Sequence, residues 1–365
     1  MSSFALYRLP HSSSCTLMQQ ISGQPEELHS FEDLNGRSGF VLAPFHIESD
    51  CPLLLMHADK TRQLHINACL PSTLNMLTDS LSYHHCNQEP DVESRARYNA
   101  CFDRFHQALS NKHFDKLVLA RRKTLVRKPD AHPLQLFLKA CQQYPRLFIA
   151  LVSTPRSGTW LAATPEILLE GEGCRWHTIA LAGTILLAPS QLHTEGENTI
   201  WSPKNIQEQH YVASYMAGQL KPFASELQQD GPRTVRAANL VHLRSDFTFT
   251  LYNNARVGDL LDTLHPTPAV CGLPKQAALD FILDNEPVPR RYYSGFMGPL
   301  NARQTDEVRT DGITTSHLYV TLRCMEIGLH SYHLHAGGGL LKDSIEEQEW
   351  QETEAKMGTI SKCIG

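Results

Sequence analysis

The stretch Glu349-Trp350-Gln351-Glu352-Thr353-Glu354-Ala355-Lys356 reads as a helix. At 3.6 residues per turn, Glu349, Glu352 and Lys356 fall within about 60° of one another. Two carboxylates one turn apart make a half-site for a hard divalent cation such as Mg²⁺, which prefers oxygen ligands. The same spacing also describes a solvated acidic face with an i,i+4 ion pair to Lys356. Glu208, early in a helix capped by Ser202, completes a three-carboxylate site or simply favours that helix's N-terminus. Lys116, in a strand reading FDKLVLARR, shares one face with Val118 and can point inward. There desolvation would lower its pKa and make it a general base; at a strand edge it would keep its charge in water. Glu166 follows Pro165 between two strands. It is a general acid if an apolar pocket raises its pKa, and otherwise a loop charge. Arg323 is a candidate clamp for a substrate carboxylate. Leu181–Thr184 and His335–Gly339 offer unobstructed backbone N–H groups to an anion, or are tight turns.

Several kinds of element must position these groups. A helical pattern over 93–109 precedes the Lys116 strand. LFIALVS, TWLAATPE, ILLEGEG and CRWHTIALAGT then read as short strands separated by turn formers. At Ser202-Pro203 the period changes to helical, with Ile206, Val212, Met216 and Leu220 as the apolar stripe. A second helix is expected over 274–284. HLYVTLRCMEI and LHSYHLHAGG read as two further strands, followed by a glycine turn and the last helix, which the capping-box spacing of Ser344 and Glu347 would start. Strand runs with isolated helices, lacking βαβ alternation, define an α+β fold of antiparallel sheets with helices outside. Residues 1–95 read as a strand-rich part integrated into the same sheets.

The 365 residues carry 38 acidic and 33 basic side chains, a net charge of −5, and are 41% hydrophobic. This excludes a disordered, collagen-like or coiled-coil chain and argues against a nucleic-acid binder working by general charge. No GxGxxG or GxxxxGK[ST] supports a nucleotide site. Ten cysteines without CxxC spacing suit a reducing cytoplasm. Arg8 and Pro10 interrupt any signal-like core, and the longest apolar run, Leu147 to Val152, is too short for a membrane span.

The order of motifs says more than each alone. Lys116 in KLVLARR, Glu166 in ATPE, LAGT, a Glu-bearing helix, LHPTPAVCGLP, RYYSGFMG, VTLRC, AGGG and EWQETEAK follow one another along the chain. Together they resemble the chorismate-utilising enzymes, and among these the isochorismate synthases, over residues 96–362, the expected catalytic domain. The resemblance implies two large antiparallel β-sheets packed around a central site. It implies Lys116 as the base activating water at C2 of chorismate, and Glu166 as the acid for the departing C4 hydroxyl. Glu208, Glu349 and Glu352 would surround Mg²⁺. Gly183, Thr184, Arg323, Gly337, Gly338 and Lys356 would contact substrate, with His265 beside the site.

Within the family, Ala182 stands where nucleophilic aminodeoxychorismate synthases carry lysine. Anthranilate synthases generally lack the water-activating lysine present here as Lys116. Salicylate synthase shares Lys116 and Glu166 and adds pyruvate elimination, so it is the alternative. No amidotransferase subunit, nucleic acid or membrane partner is expected, and the product would feed menaquinone or siderophore biosynthesis. Asn205, Ile206 and Gln209 replace the family's Asp, Arg and His beside Glu208. The stretch 301–315 reads as an extended surface loop.

Overall fold

The computed structural model describes residues 2–66, 77–83, 94–128, 131–187, 196, 199–303 and 314–364. Two antiparallel sheets face each other. The nine-stranded sheet runs, edge to edge, Gly272–Leu273, Lys116–Val126, Ser331–Leu340, Cys324–Ile327, Gly158–Thr164, Phe148–Thr154, Ser3–Arg8, Ser14–Gln20 and Lys60–His65. The ten-stranded sheet runs Ala224–Ala237, Leu240–Leu251, Arg175–Leu186, Ile167–Glu172, Thr314–Val320, Phe296–Leu300, Gly39–Ala43, Leu53–Met56 and Glu26–Leu28, with Ala302–Arg303 paired to Thr314–Val320. The first 65 residues thus supply strands to both sheets. Among the described residues six α-helices complete the fold: α1 (Ser94–Ser110), α2 (Pro133–Gln143), α3 (Pro203–Leu220), α4 (Val257–Leu264), α5 (Lys275–Asn285) and α6 (Glu346–Ser361).

The layering follows from side-chain alternation. Along Phe148–Thr154 every residue is buried, because both faces of the strand are covered. Phe148, Ala150 and Val152 join Trp160, Leu42, Ile179 and Tyr319 between the sheets. Ile149 and Leu151 point the other way, against Phe137 of α2 and Met357 and Ile360 of α6. The outer face of the second sheet is covered by Val212, Met216 and Leu220 of α3 and Leu260 and Leu264 of α4. Phe102 and Phe105 of α1 and Leu279 and Ile282 of α5 pack over Leu117, Leu119 and Leu340. The result is helix, sheet, sheet, helix, as the α+β reading expected.

Four local readings need correction. HLYVTLRCMEI is not one strand: Thr314–Val320 belongs to one sheet and Cys324–Ile327 to the other, with Arg323 at a φ of 47° between them. The glycines after His335 form no turn but continue the strand Ser331–Leu340. Ser344 does not cap α6, whose N-cap is Ile345; the Ser344 hydroxyl instead accepts from the Leu341 amide at 3.0 Å. Ile206 is 53% exposed. The inward face of α3 is centred about 90° away, where Asn205, Glu208 and Gln209 occupy its first turns. Of the loop expected over 301–315, residues 304–313 lie outside those described.

Ser202 does cap α3, accepting from the Asn205 amide with Pro203 in the first turn.

Candidate active site

Two places where the chain crosses between the sheets lie side by side. One crossing, between Gly158–Thr164 and Ile167–Glu172, carries Glu166; the other, between Thr314–Val320 and Cys324–Ile327, carries Arg323. They are joined through the backbone: the Val320 amide donates to the Glu166 carbonyl at 2.9 Å, and the Ala163 amide to the Arg323 carbonyl at 3.1 Å. An acid and a guanidinium far apart in sequence are thereby fixed to one backbone frame. Both line a cavity that also takes Gly183, Thr184, Glu208, Gly337 and Lys356 in its wall.

Each charged group has a defined setting. Burial raises the Glu166 carboxyl to about 7, against the opposing pull of Lys116, Lys356 and Arg323. Burial lowers the Arg323 guanidinium to about 10. Arg323 donates from Nη2 to His242 Nε2 at 2.7 Å and from Nη1 to Thr359 Oγ1 at 3.1 Å. Since arginine only donates, His242 Nε2 accepts, and its Nδ1–H donates to the Gly183 carbonyl at 2.9 Å. Burial, then Arg323 and Lys356, hold the His242 imidazole well below its ordinary value, so it is neutral. Gly183 itself has a φ of 67° at the irregularity between Ala182 and Ile185. LAGT is therefore a bulge that aims a carbonyl, not a simple turn.

Lys116 has no exposed side-chain surface and lies 3.0 Å from Glu208 Oε1. Burial works against the Glu208 charge, but Lys116 and Lys204 outweigh it and keep that carboxyl below its usual range. The carboxylate, rather than the amine, faces the cavity here. Lys356 pairs with Glu352 at 2.7 Å and donates to the Gly337 carbonyl at 2.9 Å. Glu349 is bound by Lys204 and sits above its ordinary value through burial and the neighbouring Glu352 charge.

The three consecutive glycines clear room for three different side chains. A Cβ on Gly337 would lie 2.9 Å from Tyr293 Oη, and one on Gly338 would lie 3.1 Å from Glu349 Oε2. One on Gly339 would fall 2.1 Å from Glu208 Oε1 and 3.0 Å from Lys116 Cε. Gly339→Ala is therefore expected to displace Glu208 from Lys116 and cut kcat at least tenfold. The check is steady-state turnover with circular dichroism as a folding control; wild-type kcat in a folded variant contradicts it.

The expected site residues thus gather in one region, with one exception. His265 does not line the cavity. Its Nε2 lies 3.0 Å from the Pro44 carbonyl, its ring packs edge-on to Phe31 and Phe296, and burial lowers it to about 3. Its neighbours Ala269 and Val270 reach the cavity instead. Sequence reasoning missed His242, Tyr293 and Lys204, and took His335 and Gly339 only as part of a backbone run. The signal for Gly339 was present in AGGG, and that for Lys204 in its place after Pro203; His242 stands in an ordinary strand pattern that gives no cue.

The carboxylates suit a hard cation by chemistry. Glu349 Oε2 is buried without a hydrogen-bond partner, a need an oxygen-seeking ion would meet. As arranged, lysines occupy Glu208, Glu349 and Glu352, and among the described residues no three acidic, His or Cys groups are gathered around one point.

Residues 52–365 match the sequence pattern of chorismate-binding enzymes, and the chain belongs to that family. It is 29% identical over 254 residues to isochorismate synthase EntC of Escherichia coli strain K12, a match covering 69% of this chain and 62% of EntC. The chain thus spans about six tenths of that relative's length. Its fold matches DhbC from Bacillus anthracis with a TM-score of 0.79 at 21% identity, covering 100% of this chain and 96% of that one. It matches MenF, the menaquinone-specific isochorismate synthase of Escherichia coli, with a TM-score of 0.78 at 20% identity, covering 100% and 89%.

Proposed function

We propose that this chain converts chorismate to isochorismate. The observation that carries the reading is a carboxyl, Glu166, in a cavity that also holds Arg323 and Lys356, raised to about 7 by burial against the opposing pull of the buried Lys116. The reaction needs little more. Water adds at C2 and gives up one proton, the ring double bonds shift, and the C4–O bond breaks as that oxygen takes a proton and leaves as water. Hydroxide is a poor leaving group and water a poor nucleophile, so a placed acid and a placed base each contribute about 10²–10⁴-fold. Glu166 enters protonated and supplies the leaving group's proton. Lys116 exchanges Glu208 Oε1 for the attacking water and takes the other.

The substrate is a dianion, and Arg323 and Lys356 offer it two cations. The pairing of Arg323 with neutral His242 keeps the guanidinium aimed without adding a competing negative charge. Glu208, Glu349 and Glu352 would hold Mg²⁺, which would supply positive charge to the ring carboxylate when bound. Glu349→Gln is expected to raise the Mg²⁺ concentration for half-maximal activity about 10–100-fold; an unchanged Mg²⁺ titration would reject Glu349 as a ligand.

Because water is the nucleophile, no ammonia-donating subunit is required. Among the described residues no cysteine is in a disulfide, which supports a reducing, cytoplasmic setting. The menaquinone specificity of the MenF relative supports menaquinone supply as the destination of the product, with siderophore supply as the alternative. The test is to incubate the purified chain with chorismate and Mg²⁺ and separate the products. Isochorismate alone is expected; salicylate with stoichiometric pyruvate would assign a salicylate synthase instead.

A further inference from the structure

We infer that Arg121 is a positioning residue that sets the rotation of α6, so that Glu349 lies against Gly338 and Glu352 against Lys356, beside the cavity. This rests on the reading of those carboxylates as metal ligands. Arg121 lies on the strand that begins with Lys116, and three groups of α6 converge on it. Its guanidinium carbon sits 3.6 Å over the Trp350 ring, its Nε donates to Thr353 Oγ1 at 2.7 Å, and its Nη2 pairs with Glu354. Lys123, two residues along the same strand, lies 3.0 Å from the other Glu354 oxygen. The Arg121 side chain is 6% exposed, so its own stack on Trp350 and bond to Thr353 are shielded from water, while Glu354 is 32% exposed.

The geometry makes the clamp rotational. Trp350 and Glu354 lie about 100° and 140° around the helix from Glu349. A grip on that flank fixes which way Glu349 and Glu352 point, and it does so from the strand that carries Lys116. The two sides of the site are thereby tied through one side chain. Only a guanidinium can stack on an indole while donating sideways to a hydroxyl and a carboxylate. Arg95, 4.6 Å from the same indole and paired with Glu346 and Glu347 in the first turn of α6, is 37% exposed and, among the described residues, touches no group of the Arg121 strand.

The test is calorimetric Mg²⁺ titration of the full chain as wild type, Arg121→Lys, Glu354→Gln and Arg95→Lys, with kcat measured at saturating Mg²⁺. Arg121→Lys keeps the charge but loses the stack and the Thr353 bond; Mg²⁺ binding should weaken about tenfold, with kcat restored to within about twofold when Mg²⁺ saturates. Arg95→Lys should bind Mg²⁺ as wild type does. Should Arg121→Lys not fold, Glu354→Gln, on a partly exposed side chain, decides: its binding should weaken severalfold. Wild-type Mg²⁺ affinity in the folded variants, even with a lowered Tm, overturns the positioning role. A wild-type chain that binds no Mg²⁺ overturns instead the carboxylate reading beneath it.

Discussion

Lys116→Ala is expected to lower kcat for isochorismate formation by about 10²–10⁴-fold, the range that a lost general base removes. The loss should fall on kcat more than on KM, since Arg323 and Lys356 remain to bind the dianion. It should also lower Tm, because the buried Glu208 carboxylate loses the amine 3.0 Å away, and removing one partner of a buried pair is costly. Two readouts separate chemistry from folding. Lys116→Met keeps much of the side-chain volume and should be equally inactive. Added ethylamine should restore part of the activity of Lys116→Ala if the missing function is an amine base. A folded Lys116→Ala enzyme with a near-normal rate would remove Lys116 from the mechanism.

Glu166→Gln is expected to reduce kcat by a similar factor, and to raise stability in alkaline solution. The Glu166 carboxyl is raised to about 7 from an ordinary 4.5, so burial disfavours its charge. Below pH 4.5 the folded and unfolded forms are both protonated and the group costs nothing. Between 4.5 and 7 the unfolded chain ionises first, so folding stability falls as pH rises, and the full cost, roughly 3 kcal/mol, applies above 7. Glutamine removes it. Thermal unfolding of Glu166→Gln should therefore exceed wild type at pH 8, with the difference shrinking toward pH 5. The same protonation sets an activity limit: wild-type kcat/KM should decline as pH rises through about 7. An unchanged rate in Glu166→Gln, or a Tm difference independent of pH, would contradict the assignment.

Much of this arrangement was legible in the sequence because chemistry and motif coincide there. The Lys116 strand, the middle hairpins, the Ser202 cap and the carboxylate spacing of α6 are local features, readable from alternation, turn residues and helical period. Residues 1–95 read as strand-rich without strand boundaries, because strands such as Gly39–Ala43, buried along their whole length, show no alternation. HLYVTLRCMEI was misread because no glycine, proline or other turn former marks the point, at Arg323, where the chain leaves one sheet for the other. The AGGG glycines looked like a turn because their cause is tertiary; each yields space to a side chain from another element. Ile206 was assigned inward on hydrophobicity, whereas the polar Glu208 and Gln209 take the inward face to serve the site. His265 stood in a matching motif, yet its ring is satisfied by the Pro44 backbone, and only Ala269 and Val270 of that segment reach the cavity.

The central claim is that a water molecule, deprotonated on one side of the ring, replaces a hydroxyl protonated on the other. Turnover of chorismate by the wild-type chain in H₂¹⁸O, with mass analysis of the product, tests it most directly. The account predicts that isochorismate formed in a single pass carries one heavy oxygen, at C2. Unlabelled isochorismate would mean that the substrate's own hydroxyl migrates, and would contradict the roles given to both Lys116 and Glu166.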